Sequence, residues 1–368
     1  QDVGRQKNFK EERMNIIDAA QPVRAGEELD ISRIESFLRK AVPGLTGGIS
    51  ISQFPSGHSN LTYLITAGDR EFVLRRPPFG RKVKTAHDMG REYRVLKALR
   101  PLYPYCPEAL AYTEDETVLG CPFYIMERLK GIILRKEPPP GMDLSAAAAR
   151  RLCERLIDVF VELHRVDYRG SDLENLGRPE GYVQRQVTGW SERYRGARTP
   201  DAPDCEAVMA WLLERMPSAS PAPAVIHNDY RFDNVVLSPK DPQRIIGVLD
   251  WEMATIGDPL MDLGGALAYW IDRDDPEEAQ AIRLVPTHRE GMMTRREVVA
   301  HYCARMDLPE ENMDFYYVFG LFRLTVIAQQ IYYRFYHRQT QDRRFGMLIF
   351  AVHVLEKKAR QVMTTGKV

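Results

Sequence analysis

Cysteine is scarce and unpatterned in this chain of 368 residues. The five, Cys106, Cys121, Cys153, Cys205 and Cys303, are odd in number, and no two have CxxC spacing. That excludes a disulfide framework and a structural zinc site, and it points to a reducing compartment, the cytoplasm. An excess of charge of either sign is also missing: 51 Lys plus Arg balance 51 Asp plus Glu. A nucleic-acid binder would show a basic surplus, so no nucleic-acid partner is expected. No apolar run approaches the ~18 residues of a membrane helix, so no membrane partner is expected either. Residues Gln1–Glu12 are polar and charged, unlike a secretory signal. The chain does not open on methionine, so its native start is expected upstream or at Met14.

What is present is ordinary globular material. Hydrophobic residues make up 44% of the chain, and the length suits two lobes better than one compact domain. Residues 1–28 read as a loose extension. Asp30–Ala41 has helical periodicity with Asp30 as a cap. Three short β runs follow, at Ile49–Phe54, Asn60–Thr66 and Glu71–Arg75, with AGDR as the turn between the last two. A helix at Asp88–Leu99 and strands near Ala109–Asp115 and Phe123–Arg128 complete a first lobe over 29–128. After the breaker cluster Pro138-Pro139-Pro140-Gly141, the chain turns helical. Helices are expected at Ser145–Val166, Tyr182–Arg195, Asp204–Met216, Asp262–Ile271, Thr294–Met306, Phe315–His337 and Phe345–Val362. Short strands are expected at Val225–Ile226, Val235–Leu237 and Ile245–Leu249. The fold class is therefore α+β: a small antiparallel β N-lobe with a helix, then a larger, mainly helical C-lobe over 129–368. An active site is expected in a cleft between them.

Two segments carry chemistry. Val225–Leu237, VIHNDYRFDNVVL, holds His227, Asp229 and Asn234 between apolar β segments, as a loop displaying polar groups would. Ile245–Glu252, IIGVLDWE, ends an apolar strand on Asp250, with Glu252 two residues later. Phosphoryl transfer to a hydroxyl needs a carboxylate to take the alcohol proton, oxygen ligands for magnesium and a cation on the phosphates. Asp229 suits the first role. Asn234, Asp250 and Glu252 supply the hard oxygen ligands of the second.

HxDxxxxN followed by a strand ending in Asp resembles the catalytic and metal loops of protein kinases. The form HNDYRFDN, LDWE and GDPLMDLG resembles the aminoglycoside phosphotransferase and choline kinase-like superfamily, which shares the protein-kinase-like fold. FVLRRPP is similar to one branch, the kinase-like domains fused to acyl-CoA dehydrogenase modules. The resemblance runs from about residue 30 to the C-terminus and is weakest after Arg273. It implies ATP and Mg2+ as cofactors and a small-molecule acceptor. It implies a phosphate-covering loop at Gly57, His58, Ser59 and Asn60. It puts Arg75 in the place of the usual phosphate-binding lysine, with Glu92 as its partner and Arg76 as an alternative. Backbone near Met126, Glu127 and Leu129 would receive adenine. His227, Asp258 and Asp262 would brace the loops, the last two by helix capping.

Three alternatives stand beside this reading. A pseudokinase would bind nucleotide without catalysis, and Arg75 for lysine leaves room for it. A protein kinase would need an APE-like activation segment, and GDPLMDLG follows Asp250 too soon for one. An aminoglycoside or choline kinase would want an acidic pocket, for which Asp272, Asp274, Asp275, Glu277 and Glu278 are candidates. Against that, Arg185, Arg193, Arg195, Arg198, Arg323, Arg334, Arg338, Arg343 and Arg344 favour an anionic acceptor. With the branch resemblance, they point to a hydroxyacyl-CoA-like substrate and a functional link to an acyl-CoA dehydrogenase.

Overall fold

The computed structural model describes residues 16–55, 60–79, 88–142, 144–218 and 221–368. In chain order the elements begin with α1 (Ile31–Ala41), β1 (Ile49–Gln53), β2 (Leu61–Ala67), β3 (Arg70–Arg76) and α2 (Met89–Leu99). There follow β4 (Ala109–Thr113), α3 (Glu116–Leu119), β5 (Phe123–Glu127) and β6 (Ile132–Ile133). Next come α4 (Ala146–His164), α5 (Tyr182–Ala197), α6 (Glu206–Glu214), β7 (Ala224–Ile226), β8 (Val235–Leu237), β9 (Ile245–Val248) and β10 (Thr255–Gly257). The chain ends with α7 (Pro259–Ala268), α8 (Glu277–Ala281), α9 (Arg295–Met306), α10 (Met313–Tyr336) and α11 (Leu348–Thr365). Among the described residues no helix is long and apolar enough to cross a membrane.

The chain divides into two compact units. The first holds the residues up to Ile133 together with Val235–Met253, and the second holds Leu134–Asn234 and Ala254–Val368. Segment 235–253 thus belongs with the first unit, although its position in the sequence suggests the C-lobe.

In the first unit, five antiparallel strands run in the order β1-β2-β3-β5-β4. Alternation buries Tyr63 and Ile65 of β2, Phe72 and Leu74 of β3, and Phe123 and Ile125 of β5 on one face, against Ile34 and Leu38 of α1. Asp30 caps α1, accepting from the Ser32 and Arg33 N–H groups at 3.0 and 3.2 Å. The N-terminal extension is less loose than expected. Residues 1–15 lie outside the described residues, but Gln21 bridges to Gln53, and the Tyr63 hydroxyl donates to the Glu27 carbonyl at 2.8 Å. A second sheet, β6-β8-β9, joins the end of the first stretch to the returning segment.

The second unit is helical apart from the β7–β10 pair. Its long helix α10 packs on α7 and α11. Ser145 precedes α4 but does not cap it with its side chain. Helix α7 begins earlier than Asp262: Pro259 fills its first position, where no N–H is needed, and Asp258 caps it.

Candidate active site

The chemistry-bearing residues form two groups, one in each unit. In the first unit, β3 carries Arg75 inward, and α2 carries Glu92. Both are buried. Arg75 Nη1 lies 2.5 Å from Glu92 Oε1, and Nη2 lies 2.9 Å from Asp250 Oδ1 and 3.9 Å from Glu252 Oε2. One guanidinium fork therefore answers two carboxylates, which a lysine ammonium does less well. Burial works against the charge on Arg75, but Glu92, Asp250 and Glu252 outweigh it and hold the guanidinium protonated. Burial also pushes the Glu92 carboxyl up, against the pull of Arg75.

Neighbouring strand residues face opposite ways, so Arg76 points elsewhere. It lies over the Phe79 ring at 3.7 Å and donates to the Pro77 carbonyl. Arg75 is the strand cation that meets the Asp250 and Glu252 carboxylates.

Asp250 follows β9 in a left-handed conformation, φ 68°, which only a few non-glycine residues adopt. The next residue, Trp251, anchors this turn: its ring is fully buried and its Nε1 donates to the Val248 carbonyl at 2.8 Å. Glu252 is held from two sides. Asn60 Nδ2 donates to its carboxylate at 2.8 Å, and Arg91 donates to its carbonyl at 2.8 Å. Gly57, His58 and Ser59 lie outside the described residues. Met126 is buried in β5. Glu127 is engaged within the sheet: its N–H donates to the Glu108 carbonyl at 2.9 Å, and its carboxylate accepts from Glu108 N–H at 3.0 Å. Leu129 packs against Gly247, where an added Cβ would lie 2.0 Å from its Cδ1.

In the second unit, the loop after β7 is built around Asp262. This fully buried carboxylate accepts from His227 N–H at 2.6 Å and Asn228 N–H at 2.7 Å, and His164 Nε2 lies 3.2 Å away. The other nitrogen of His164 meets the Tyr302 hydroxyl at 2.6 Å. Burial alone would raise the Asp262 pKa, but hydrogen bonding and the charge of His164, with His227, bring it below the ordinary value. Asp262 thus fixes the backbone on which Asp229 sits. His227 Nδ1 then accepts from Asp229 N–H at 3.1 Å. His227 is a brace, with its ring fully buried. Below the loop, Tyr230 stacks flat on Phe160 at 4.1 Å and donates to the Leu156 carbonyl.

Asp229 itself is about one-fifth exposed. Asn234 Nδ2 donates at 2.8 Å both to the Asp229 carbonyl and to its carboxylate. The amide's donor end is thus on Asp229, and its oxygen end is the one available to a cation. Arg231 lies 3.4 Å from Asp229 and 3.1 Å from Asp233. Burial pushes the Asp233 carboxyl up to about 6, against the pull of Arg231. Asp258 caps α7 through Leu260 N–H at 2.8 Å.

Among the described residues no three His, Cys, Asp or Glu side chains stand close enough to hold a metal by themselves. The first unit offers the carboxylates of Asp250 and Glu252, and the second the amide oxygen of Asn234. Each is a hard oxygen donor of the kind magnesium takes. His164, Tyr302, Arg91 and the left-handed Asn228 escaped the sequence reading. His164 stands 98 positions from Asp262, and no local pattern marks such a partner.

Similarity to known proteins speaks to the family and the fold. The model of a family described as the phosphotransferase enzyme family matches residues 50–292. Acyl-CoA dehydrogenase family member 10 of Mus musculus is 34% identical over 317 residues, 85% of this chain and 29% of that protein. Member 11 of Homo sapiens is 31% identical over 315 residues, 84% of this chain and 40% of that protein. The chain thus spans well under half the length of these curated relatives. A solved structure from Ralstonia eutropha JMP134, assigned to the aminoglycoside phosphotransferases, superposes with a TM-score of 0.77 at 28% identity, covering 92% of this chain and 99% of that one. Choline kinase of Cryptosporidium parvum superposes at 0.60 and 14% identity, covering 92% and 97%, and speaks to the fold alone. The fold is kinase-like, and the chain belongs to the phosphotransferase enzyme family.

Proposed function

We propose that this chain transfers the γ-phosphoryl group of ATP, with Mg2+, to a hydroxyl group of a small molecule. The observation that carries the reading is the Asp229 loop. Its backbone hangs on a buried carboxylate, and its side chain is aimed by Asn234. A carboxylate so held is pre-positioned to accept an alcohol proton. As the acceptor oxygen bonds to phosphorus, the bond from phosphorus to the β-phosphate oxygen breaks and Asp229 takes the hydroxyl proton. Arg75 holds phosphate oxygens, and Glu92 holds Arg75. Asn234, Asp250 and Glu252 would hold magnesium, which when bound offsets charge on the phosphates. Gly57, His58, Ser59 and Asn60 would cover the phosphates, and backbone near Met126–Leu129 would take adenine.

We assign the acceptor to the hydroxyacyl-CoA-like class. The relatives named as acyl-CoA dehydrogenase family members support this, as they do a functional link to such a dehydrogenase. Unpaired cysteines suit the cytoplasm. Among the arginines in the sequence argument, Arg195 binds locally to Glu206, Arg344 to Asp342, and Arg193 lies over Trp190.

One observation favours a nucleotide-binding pseudokinase. Arg75 already pairs with Asp250, a carboxylate the metal needs. Magnesium-dependent ATP turnover by the purified chain, with Asp229→Asn lowering kcat ~100- to 10,000-fold at nearly unchanged ATP affinity, would support catalysis. Nucleotide binding without any turnover would support the pseudokinase. Loss of nucleotide binding in Asp229→Asn would show that Asp229 is misassigned. A panel in which aminoglycosides or choline turn over and no hydroxyacyl-CoA does would remove the acceptor assignment.

A further inference from the structure

Four arginines are buried among the described residues: Arg75, Arg76, Arg295 and Arg323. Three have oxygen partners. Arg75 meets Glu92 and Asp250. Arg76 donates to main-chain carbonyls. Arg295 meets Asp275 at 2.5 Å, Asp272 at 3.3 Å and the Trp270 carbonyl at 2.8 Å. Arg323, on α10, is 6% exposed and meets no carboxylate and no hydrogen-bond acceptor among the described residues. Its one polar contact is the face of Trp190 on α5, 5.3 Å from the guanidinium carbon.

A permanently charged group this deep in a fold is rarely left without an oxygen partner, because burial strips most of its water. Folding supplies a carboxylate where the charge is structural, as Arg295 shows within the same unit. A missing partner therefore marks a place for one that arrives from outside the chain.

The surroundings say which molecule that is. A Cβ added at Gly265 would lie 3.7 Å from Arg323 Nη1, so α7 presents bare backbone there. Tyr182 and Tyr269 both lie within the field of Arg323. Tyr182 reaches toward Asn228 of the catalytic loop, hydroxyl to Oδ1 at 3.5 Å. Tyr269 feels Asp229 as well as Arg323, and carries the Arg231 guanidinium over its ring at 4.6 Å. Tyr269 thus stands near both Arg323 and Asp229, and Tyr182 near both Arg323 and Asn228, all within one unit.

We propose that Arg323 recognises an oxyanion of the acceptor, a carboxylate or a phosphate group on the same molecule whose hydroxyl is presented to Asp229. The planar fork fits either group with two parallel hydrogen bonds, and Trp190 backs it. This rests on the phosphotransferase reading and adds to it a residue and a charge requirement. It rests specificity on one member of the diffuse arginine set, of which Arg193, Arg195 and Arg344 bind locally.

The test is a matched acceptor panel with the full chain, ATP and magnesium. ω-Hydroxycarboxylates are compared with their methyl esters, hydroxyalkyl phosphates with the corresponding diols, and hydroxyacyl-CoA thioesters, aminoglycosides and choline are run alongside. The readout is kcat/KM for each anionic acceptor relative to its neutral counterpart, a ratio that cancels any loss of folded enzyme. Wild type is expected to prefer one anionic series, which identifies the oxyanion. Arg323→Met is expected to lower that preference about tenfold to a hundredfold, mainly through KM, and Arg323→Lys to keep part of it. A wild type that prefers neutral or cationic acceptors, or a preference unchanged in Arg323→Met, overturns the inference and leaves the phosphotransferase reading standing. No turnover of any acceptor by wild type overturns that reading, and this one with it.

Discussion

Arg75 is the residue on which the first group of side chains turns. It satisfies Glu92, which is buried, and Asp250, which is about one-third exposed. Removing it would leave Glu92 as an uncompensated buried charge, a change that costs about 3–5 kcal/mol. Arg75→Met should therefore lower stability by about that much in urea unfolding. Adding Glu92→Gln should recover part of the loss, because the stranded charge is gone. Equal and additive losses would show that the two side chains do not act as a pair. Asp262 gives a pH signature of the same kind. Its carboxyl titrates lower in the folded chain than the ordinary ~3.9 of an unfolded one. The unfolded state therefore binds the proton first. The stabilisation is complete above that ordinary value and is lost as pH falls toward the folded value. The wild-type urea midpoint should fall between about pH 5 and pH 3. Asp262→Asn should be less stable at neutral pH and show a flatter acid limb. An acid limb of unchanged slope would mean that other carboxylates govern it.

At the scale of elements, the crossing of α7 and α10 is set by two glycines. A Cβ at Gly320 would lie 2.0 Å from the Gly264 carbonyl oxygen, and one at Gly264 would lie 2.1 Å from the Tyr316 carbonyl. Neither backbone can give way cheaply, so Gly320→Ala should cost about 1–3 kcal/mol, read as a lower Tm. Because α7 carries Asp262 in its first turn, the same change should also lower activity. A Tm unmoved by Gly320→Ala would mean the helices separate without penalty. Crossings of this kind also mark the limit of what the chain discloses in advance. Amphipathic helices such as α1 and α2 are legible from local periodicity and caps, and α9 from its Thr294–Glu297 capping box. The five main strands are legible from alternation and turns. Strands of two or three residues, β6 and β10, have no period to show, and each is defined by a partner some hundred or thirty residues away. The candidate site divides the same way. Asp229, Asn234 and Asp250 are readable from spacing within one stretch of chain. His164 under Asp262, Asn60 on Glu252 and Arg323 over Trp190 depend on contacts between distant residues, which no spacing encodes.

At the scale of the whole molecule, the order of the chain and the order of its compact units differ. The chain leaves the first unit at Ile133, returns at Val235 and leaves again at Met253. The returning piece supplies both strands that extend β6, the buried Trp251, and the two carboxylates that Arg75 meets beyond Glu92. Trp251 packs edge-on against Tyr103 at 5.8 Å, and Val248 N–H donates to the Tyr105 carbonyl at 2.8 Å. A fragment ending at Ile133 would expose that seat and leave Arg75 with one carboxylate. It should therefore melt broadly, without a cooperative transition, in circular dichroism. A second version, in which residues 235–253 follow Ile133 through a flexible glycine–serine linker, should regain a cooperative melt, since β6, β8 and β9 can pair again. A sharp, reversible melt of the shorter fragment would show that the five-stranded sheet stands alone. The Asp250 and Glu252 carboxylates would then be an addition to a finished unit, and not part of what folds it.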